Sequence, residues 1–319
     1  VTCSTVALVE QRVIGQWRVS VMGLGCMPAS FPEHAADRQR GIAVIHRALD
    51  LGITLLDTAN IYAPSWDAMG HNEAVVAEAM RSYSGPANLE SVLIATKGGV
   101  TRNPGEVWGR DASREGLLAA AEASCRALGV EVMDLYQLHR PDPAISYAEQ
   151  VRSLAAVRDA GLARMIGLSN ASLPQLQIAL EVVGGPADGG IVSVQNEFSP
   201  RFRGEEQVLP ACTEQGIAFL PWSPLGGADQ ARTIGHRYRV FAEVGDEIGA
   251  TAHEVALAWL ADYSPSMIPI PGASRPETVD SIVRAADIRL TPGQMDRLSA
   301  SIPEATSMYP EDLPAPRIR

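Results

Sequence analysis

The chain is nearly without lysine. Of its 26 basic residues only Lys97 is lysine, and the other 25 are arginine. Guanidinium serves wherever a solvated cation suffices, so the lone ammonium is a candidate for work that a planar fork cannot do. Other scarcities exclude whole classes. Cys3, Cys26, Cys125 and Cys212 form no C-x-x-C and no zinc spacing. They read as free thiols of a reducing compartment, so a cytoplasmic location is expected. The six histidines contain no H-E-x-x-H, since His253-Glu254 continues Val-Ala-Leu. No metal site is therefore expected. No apolar run reaches the ~18 residues of a membrane span, and the first residues lack the basic segment of a signal peptide. Positive charge is in deficit, with a net charge of −11, which argues against nucleic acid or an anionic membrane as partner.

What is present is a repeat. Short apolar strands are expected at 19–25, 53–57, 91–97, 132–139, 164–169, 191–195, 217–222 and 266–270. Amphipathic helices are expected between them, at 38–51, 72–82, 113–128, 147–160, 173–182, 205–215, 237–248, 252–261 and 276–285. Residues 11–20 read as a small N-terminal β-hairpin, and 292–301 as an extra C-terminal helix. Alternation of this kind implies parallel pairing. Eight units in 319 residues predict a (β/α)8 TIM barrel, α/β in class, with 1–319 as a single domain. The alternative, a doubly wound sheet, would carry G-x-G-x-x-G after the first strand. Here Gly23-Leu24-Gly25 continues Cys26-Met27-Pro28, and the third glycine is missing.

Polar residues fall at the carboxyl ends of these strands, the face where barrels place their sites. They are Asp57, Lys97, His139, Ser169-Asn170, Gln195-Asn196 and Trp222-Ser223, with Gly272 after the last strand and Tyr62 five residues beyond Asp57. Caps and turns explain Ser, Asn and Asp at such ends, but not Lys, His and Gln. An ammonium about 4 Å from a phenol favours the phenolate by roughly 4 kcal/mol at an effective dielectric of about 20, close to three pKa units. Lys97 is thus expected to make Tyr62 a usable acid. Asp57 would keep the ammonium charged, and His139 would orient a substrate oxygen. Such a set protonates a carbonyl oxygen while something else attacks the carbon. Blander readings stand beside it: a structural Asp57–Lys97 ion pair, a satisfied core His139 and a surface-packed Tyr62.

The remaining ends suit a nicotinamide. Asn170 and Gln195 offer amides and Trp222 a stacking face. The small-residue loop Ser223-Pro224-Leu225-Gly226-Gly227 could bring amides to a pyrophosphate. Ser274 and Arg275, ahead of a helix starting at Pro276, would hold an added phosphate such as the 2′-phosphate of NADP. An ordinary capped helix is the competing reading there.

These residues resemble the aldo-keto reductase superfamily, from Met22-Gly23-Leu24-Gly25 to about Ile302. The motifs are L-D-T-A-N-I-Y (56–62), A-T-K-G-G (95–99), D-L-Y-Q-L-H-R-P-D-P (134–143), I-G-L-S-N (166–170), V-Q-N-E-F-S-P (194–200), P-W-S-P-L (221–225) and I-P-I-P-G-A-S-R-P-E (268–277). The resemblance implies an NADPH-dependent carbonyl reductase with Asp57, Tyr62, Lys97 and His139 as catalytic tetrad. It implies nicotinamide contacts from Ser169, Asn170, Gln195 and Trp222, pyrophosphate contacts from 223–227, and 2′-phosphate contacts from Ser274 and Arg275. Two departures stand out. The usual Glu-Asn pair against adenine is replaced by Ser281 and Ile282, and the segment 63–71 beside Tyr62 is longer than usual. The chain looks closest to bacterial branches that include pyridoxal reductases and reductases of natural-product sugars. A small carbonyl substrate is expected, with Cys26, Met27, Trp66, Trp108, Arg140 and Arg201 as candidate wall residues. Arg140 could meet an anionic substrate or pair with Asp142. The alternatives are a non-catalytic NADPH-binding regulator of the same fold, as in potassium-channel β-subunits, and a metal-free lyase or isomerase on a generic barrel.

Overall fold

The computed structural model describes residues 10–304 and 306–308. An antiparallel hairpin comes first, β1 (Gln11–Ile14) and β2 (Trp17–Ser20). The expected first strand at 19–25 is divided: Val19 and Ser20 belong to the hairpin, and only β3 (Leu24–Gly25) joins the main sheet. Then follow α1 (Arg38–Asp50), β4 (Leu55–Asp57), α2 (His71–Ser82) and β5 (Leu93–Gly98). A second hairpin, β6 (Val100–Asn103) and β7 (Val107–Arg110), precedes α3 (Arg114–Leu128). The alternation resumes with β8 (Met133–Leu138), α4 (Tyr147–Asp159), β9 (Ala163–Ser169), α5 (Leu173–Val183), β10 (Ile191–Gln195), α6 (Val208–Gln215) and β11 (Ala218–Phe219). Helices make up the rest: α7 (Ala228–Ala231), α8 (Ile234–Arg237), α9 (Arg239–Ile248), α10 (Ala252–Tyr263), α11 (Pro276–Asp287) and the extra α12 (Pro292–Ser299).

Seven strands form one parallel sheet in the order β11-β10-β9-β8-β5-β4-β3. The segment 266–272 hydrogen-bonds to both of its edges. Ile268 N–H donates to the Phe219 carbonyl at 2.8 Å, and Gly23 N–H donates to the Pro269 carbonyl at 2.8 Å. Isolated bridges join Phe219 to Met267 and Gly25 to Gly272. The eighth expected strand is therefore a bridging segment rather than a regular strand, because Pro269 and Pro271 have no N–H for a ladder. Glycine is required at position 25, where a Cβ would lie 2.9 Å from the Ile270 carbonyl oxygen. The architecture is TIM-barrel-like α/β.

The two-residue period of a strand divides the core in two. Leu55, Leu93, Ala95, Leu135, Met165 and Val192 point inward with Leu220, Ile268 and Ile270, and Ile14 and Val19 of the first hairpin join them. The alternate positions, Leu56, Tyr136, Leu138, Ile166 and Leu168, face the helices. The same register carries Asp57 and Lys97 inward one step above Leu55 and Ala95. The helix caps follow the sequence signals: the Ser113 side chain accepts from Gly116 N–H at the start of α3, and Gly129 ends it in the left-handed conformation. Cys26, Cys125 and Cys212 are free and buried, and Cys3 lies outside the described residues. No described helix is long and apolar enough to cross a membrane.

Trp259 of α10 centres an aromatic cluster outside the sheet. It stacks on Phe198 and meets Phe241 and Tyr263 edge-on, and its Nε1–H donates to Ser299 Oγ at 3.0 Å, tying in α12. Trp259→Ala is expected to cost about 3–5 kcal/mol of stability, read as a lowered urea midpoint; an unchanged midpoint would remove the cluster from the stabilising core.

Candidate functional site

Lys97 is the most deeply enclosed charge among the described residues, with no exposed surface. Its Nζ donates to Asp57 Oδ2 at 2.8 Å, to the Thr58 carbonyl at 2.7 Å and to Tyr62 Oη at 3.4 Å. Burial opposes the ammonium, but the carboxylate and the phenol overcome it and hold its pKa above the usual lysine value. The other carboxylate oxygen, Asp57 Oδ1, accepts from Gln195 Nε2 at 2.8 Å. The pair is thus desolvated and hydrogen-bonded on both sides, the condition under which a buried ion pair persists.

The sequence argument about Tyr62 is corrected here. The expected ammonium contact is present, yet the phenol pKa is raised, because burial outweighs the pull of Lys97 and the Asp57 carboxylate adds to burial. Tyr62 therefore stays protonated through neutral pH. His139 lies beside it, the two rings edge to face with centroids 5.8 Å apart. Burial, with Lys97, Arg140 and Arg110 adding to it, pushes the imidazole pKa well below its ordinary value. His139 is neutral at pH 7, and its Nδ1 is buried without a hydrogen-bond partner.

The amide-bearing strand ends are already engaged. Asn170 Nδ2 donates to the His139 carbonyl at 3.0 Å and to Ser169 Oγ at 3.1 Å, while Asn170 Oδ1 accepts from Trp222 Nε1 at 3.1 Å. Asn170 and Ser223 hold φ of +56° and +48°, a left-handed conformation uncommon for such residues and found disproportionately at functional sites. Asn196 clips Ala171 with bonds of 2.9 and 2.8 Å. In the 223–227 loop, Gly226 N–H donates to the Ser223 carbonyl at 2.7 Å. Gly227 has φ of +88°, and a Cβ on it would meet Met308 Cε at 2.6 Å. At the start of α11, Arg275 is exposed. Arg40, which the sequence did not single out, donates from Nε to the Ser274 carbonyl at 2.6 Å. Gly272 is exposed next to Pro28. Ile282 is buried in the core, and Ser281 donates to Glu254.

The candidate wall residues scatter more widely. Cys26 is buried, its thiol pushed up by burial and by the Asp57 carboxylate, so it is inert. Met27, Trp66 and Trp108 are exposed. The hairpin β6–β7 was not expected, although Asn103-Pro104-Gly105-Glu106 is a turn signal between its strands. Arg102 Nη1 donates to the Ala63 carbonyl at 2.7 Å, and Trp66 N–H donates to Glu106 Oε1 at 3.0 Å. The guanidinium of Arg102 also lies over the Trp108 ring. Hairpin and long segment thereby form one wall beside Tyr62. Arg140 follows His139 directly and is half-buried. Asp142, its candidate partner, accepts from Ala112 and Ala144 N–H. Arg201 pairs with Glu197 and Glu304.

The model of the Aldo/keto reductase family matches residues 21–303. An uncharacterized oxidoreductase of Schizosaccharomyces pombe is 32% identical over 281 residues, covering 87% of this chain and 85% of the relative. Pyridoxine 4-dehydrogenase of Escherichia coli is 31% identical over 271 residues, 82% and 87% of the two chains. Among solved structures, an aldo/keto reductase from Klebsiella pneumoniae in complex with NADP and acetate superposes with a TM-score of 0.75 at 26% identity, covering 94% of this chain and 98% of that one.

The depressed imidazole pKa gives a pH prediction. The unfolded chain takes up a proton on His139 near the ordinary value of about 6.5 and the folded chain does not, so acid favours unfolding from about pH 6.5 downward. Urea unfolding between pH 7.5 and 5 is expected to show stability falling with pH, with a shallower fall in His139→Asn. Equal slopes would mean that His139 is not buried neutral.

Proposed function

The chain belongs to the Aldo/keto reductase family, and on that premise we propose that it reduces the carbonyl of an aldehyde or ketone to an alcohol with NADPH, Tyr62 giving the proton. The observation that carries the reading is the line of contacts Asp57–Lys97–Tyr62 with a neutral His139 edge-on to the phenol. A phenol that stays protonated at neutral pH is the form a carbonyl reduction uses. Beside it, a neutral imidazole can donate a hydrogen bond to the substrate oxygen without a competing charge. Lys97 offsets the negative charge that develops on Tyr62 as the proton leaves, and Asp57 keeps Lys97 charged while it does so. The phenol then regains its proton from solvent.

Bound NADPH would supply the hydride. Several features of the chain fit it. Ser169, Asn170 and Gln195 stand at neighbouring strand ends for the carboxamide, and Trp222, braced by Asn170, would stack on the ring. Gln195 then has two duties, since its nitrogen holds Asp57 and its oxygen is left to accept. The 223–227 loop, with Pro224 and Leu225 between the strained Ser223 and Gly226-Gly227, suits a pyrophosphate. Ser274, Arg275 and Arg40 gather at the N-terminus of α11 for a 2′-phosphate, next to Gly272. Ser281 is engaged with Glu254 and Ile282 is buried, so the reading assigns no adenine contact to either. The same reading takes 266–271 as the eighth stave of a closed barrel and the chain as one domain. Met27, Trp66, Trp108 and Arg140 remain the candidate substrate wall around the mouth.

NADPH oxidation with a panel of aldehydes, ketones, pyridoxal and keto-sugars tests the proposal. Tyr62→Phe is expected to lose at least about 10²-fold in kcat while its NADPH affinity, from fluorescence titration, stays put. Tight NADPH binding without any turnover would favour a regulatory subunit, and an active Tyr62→Phe would exclude Tyr62 as the donor. Equal affinity for NAD and NADP would overturn the role given to Arg275.

A further inference from the structure

The ammonium of Lys97 is held by Asp57 and the Thr58 carbonyl, and the chain neighbours of both charges, Thr58 and Thr96, are held by a single turn of helix. Strand alternation sends Asp57 and Lys97 into the barrel and their neighbours Thr58 and Thr96 out toward the helices. Both hydroxyls end on consecutive residues of α2. Thr58 Oγ1 donates to Asn72 Oδ1 at 2.7 Å, and Thr96 Oγ1 donates to Glu73 Oε1 at 2.6 Å. Asn72 Nδ2 donates to the Cys26 carbonyl and to Ser30 Oγ, each at 2.8 Å. Its backbone N–H donates to the Tyr62 carbonyl at 3.1 Å. Thr58, Asn72, Glu73 and Thr96 are each at most 1% exposed, so water cannot replace a bond that is lost. A carboxyl this deep is costly to bury, and the bond from Thr96 offsets part of that cost.

We propose that Asn72 and Glu73 are positioning residues that, acting through Thr58 and Thr96, set the distance between Lys97 Nζ and Tyr62 Oη. The inference rests on the reading of Tyr62 as proton donor. Among the three partners of Nζ, the Tyr62 contact at 3.4 Å is the longest and stands at the limit of a hydrogen bond. It is the first to fail when the others move. The Thr58 carbonyl lies 2.7 Å from Nζ, so a shift of Thr58 displaces the ammonium directly. The Asn72 N–H holds the backbone that carries the phenol. One dipeptide thus governs both ends of the weakest contact. Glu73 faces Thr96 and, less directly, Ser124 and Lys97. Tyr62 faces Lys97, Asp57, Arg140 and the ring of His139.

Thr58→Val removes the hydroxyl and leaves Asn72 in place. It is expected to lower kcat at least about tenfold, the scale of a sub-ångström misplacement, with the NADPH Kd changed by less than about twofold. As Lys97 draws away, its pull on the phenol weakens, so the alkaline limb of the kcat profile moves to higher pH; a merely structural role would lower the active fraction without moving that limb. Thr58→Ser should recover most of the loss, and Asn72→Ala combined with Thr58→Val should be no worse than the poorer single variant. Because the chain has one lysine, an amine reagent followed by mass spectrometry reads Lys97 without any turnover: labelling should speed up in Thr58→Val and not in Thr58→Ser. Wild-type kcat, limb and labelling in Thr58→Val would overturn the proposal. Should that variant fail to fold, Thr96→Val carries the same expectations through Glu73. A wild-type protein with no turnover but faster Lys97 labelling in Thr58→Val would sink the reductase reading and leave the positioning role standing.

Discussion

The buried contact between Lys97 and Asp57 is the constraint on which the site depends. Two charges taken out of water cost several kcal/mol each unless every lone pair and proton is engaged. Here the surrounding polar groups are explained by that requirement. The Thr58 carbonyl takes a second ammonium proton, Gln195 takes the second carboxylate oxygen, and Tyr62 lies along the third direction. Two adjacent staves, β4 and β5, and the more distant β10 are thereby tied at their carboxyl ends, above a plug rich in leucine, alanine and isoleucine.

Burial and neighbouring charge decide the titration of Lys97, His139 and Tyr62, and their balance differs from one to the next. At Lys97 the partners prevail and the ammonium persists. At His139 burial and the neighbouring cations act together, leaving a neutral ring. Burial also prevails at Tyr62, which keeps its proton. A pairwise Coulomb estimate captures the first of these and misses the third, since it omits the loss of water around the phenol. The result is a charged pair beside a neutral phenol and a neutral imidazole.

Much of this was legible in the sequence, for identifiable reasons. The inward direction of Lys97 follows from the spacing of Leu93, Ala95 and Lys97 on a strand buried on both faces, and the ends of α3 and α6 follow from Gly129 and Gly216, both in the left-handed conformation. The hairpin at 100–110 was missed because its signal is a turn within a stretch expected to be loop. The division of the first strand was missed because Val19 to Gly25 is apolar apart from Ser20, and only tertiary pairing separates the part that plugs the barrel from the part that joins it. The bond from Gln195 to Asp57 crosses 138 positions of the chain. No local pattern can announce such a contact, and the same is true of Arg40 at the Ser274 carbonyl.

The burial of Lys97 has a consequence for chemistry the chain does not perform. A neutral lysine amine beside a carbonyl attacks it and, with loss of water, forms an imine, the opening step of Schiff-base enzymes. Lys97 is the only lysine in the chain, and Asp57 keeps it an ammonium with no lone pair to offer. Guanidinium stays protonated at any physiological pH, so the arginine-coated exterior has no nucleophilic side-chain amine either. An aldehyde arriving at this protein finds no lysine to condense with, inside or out.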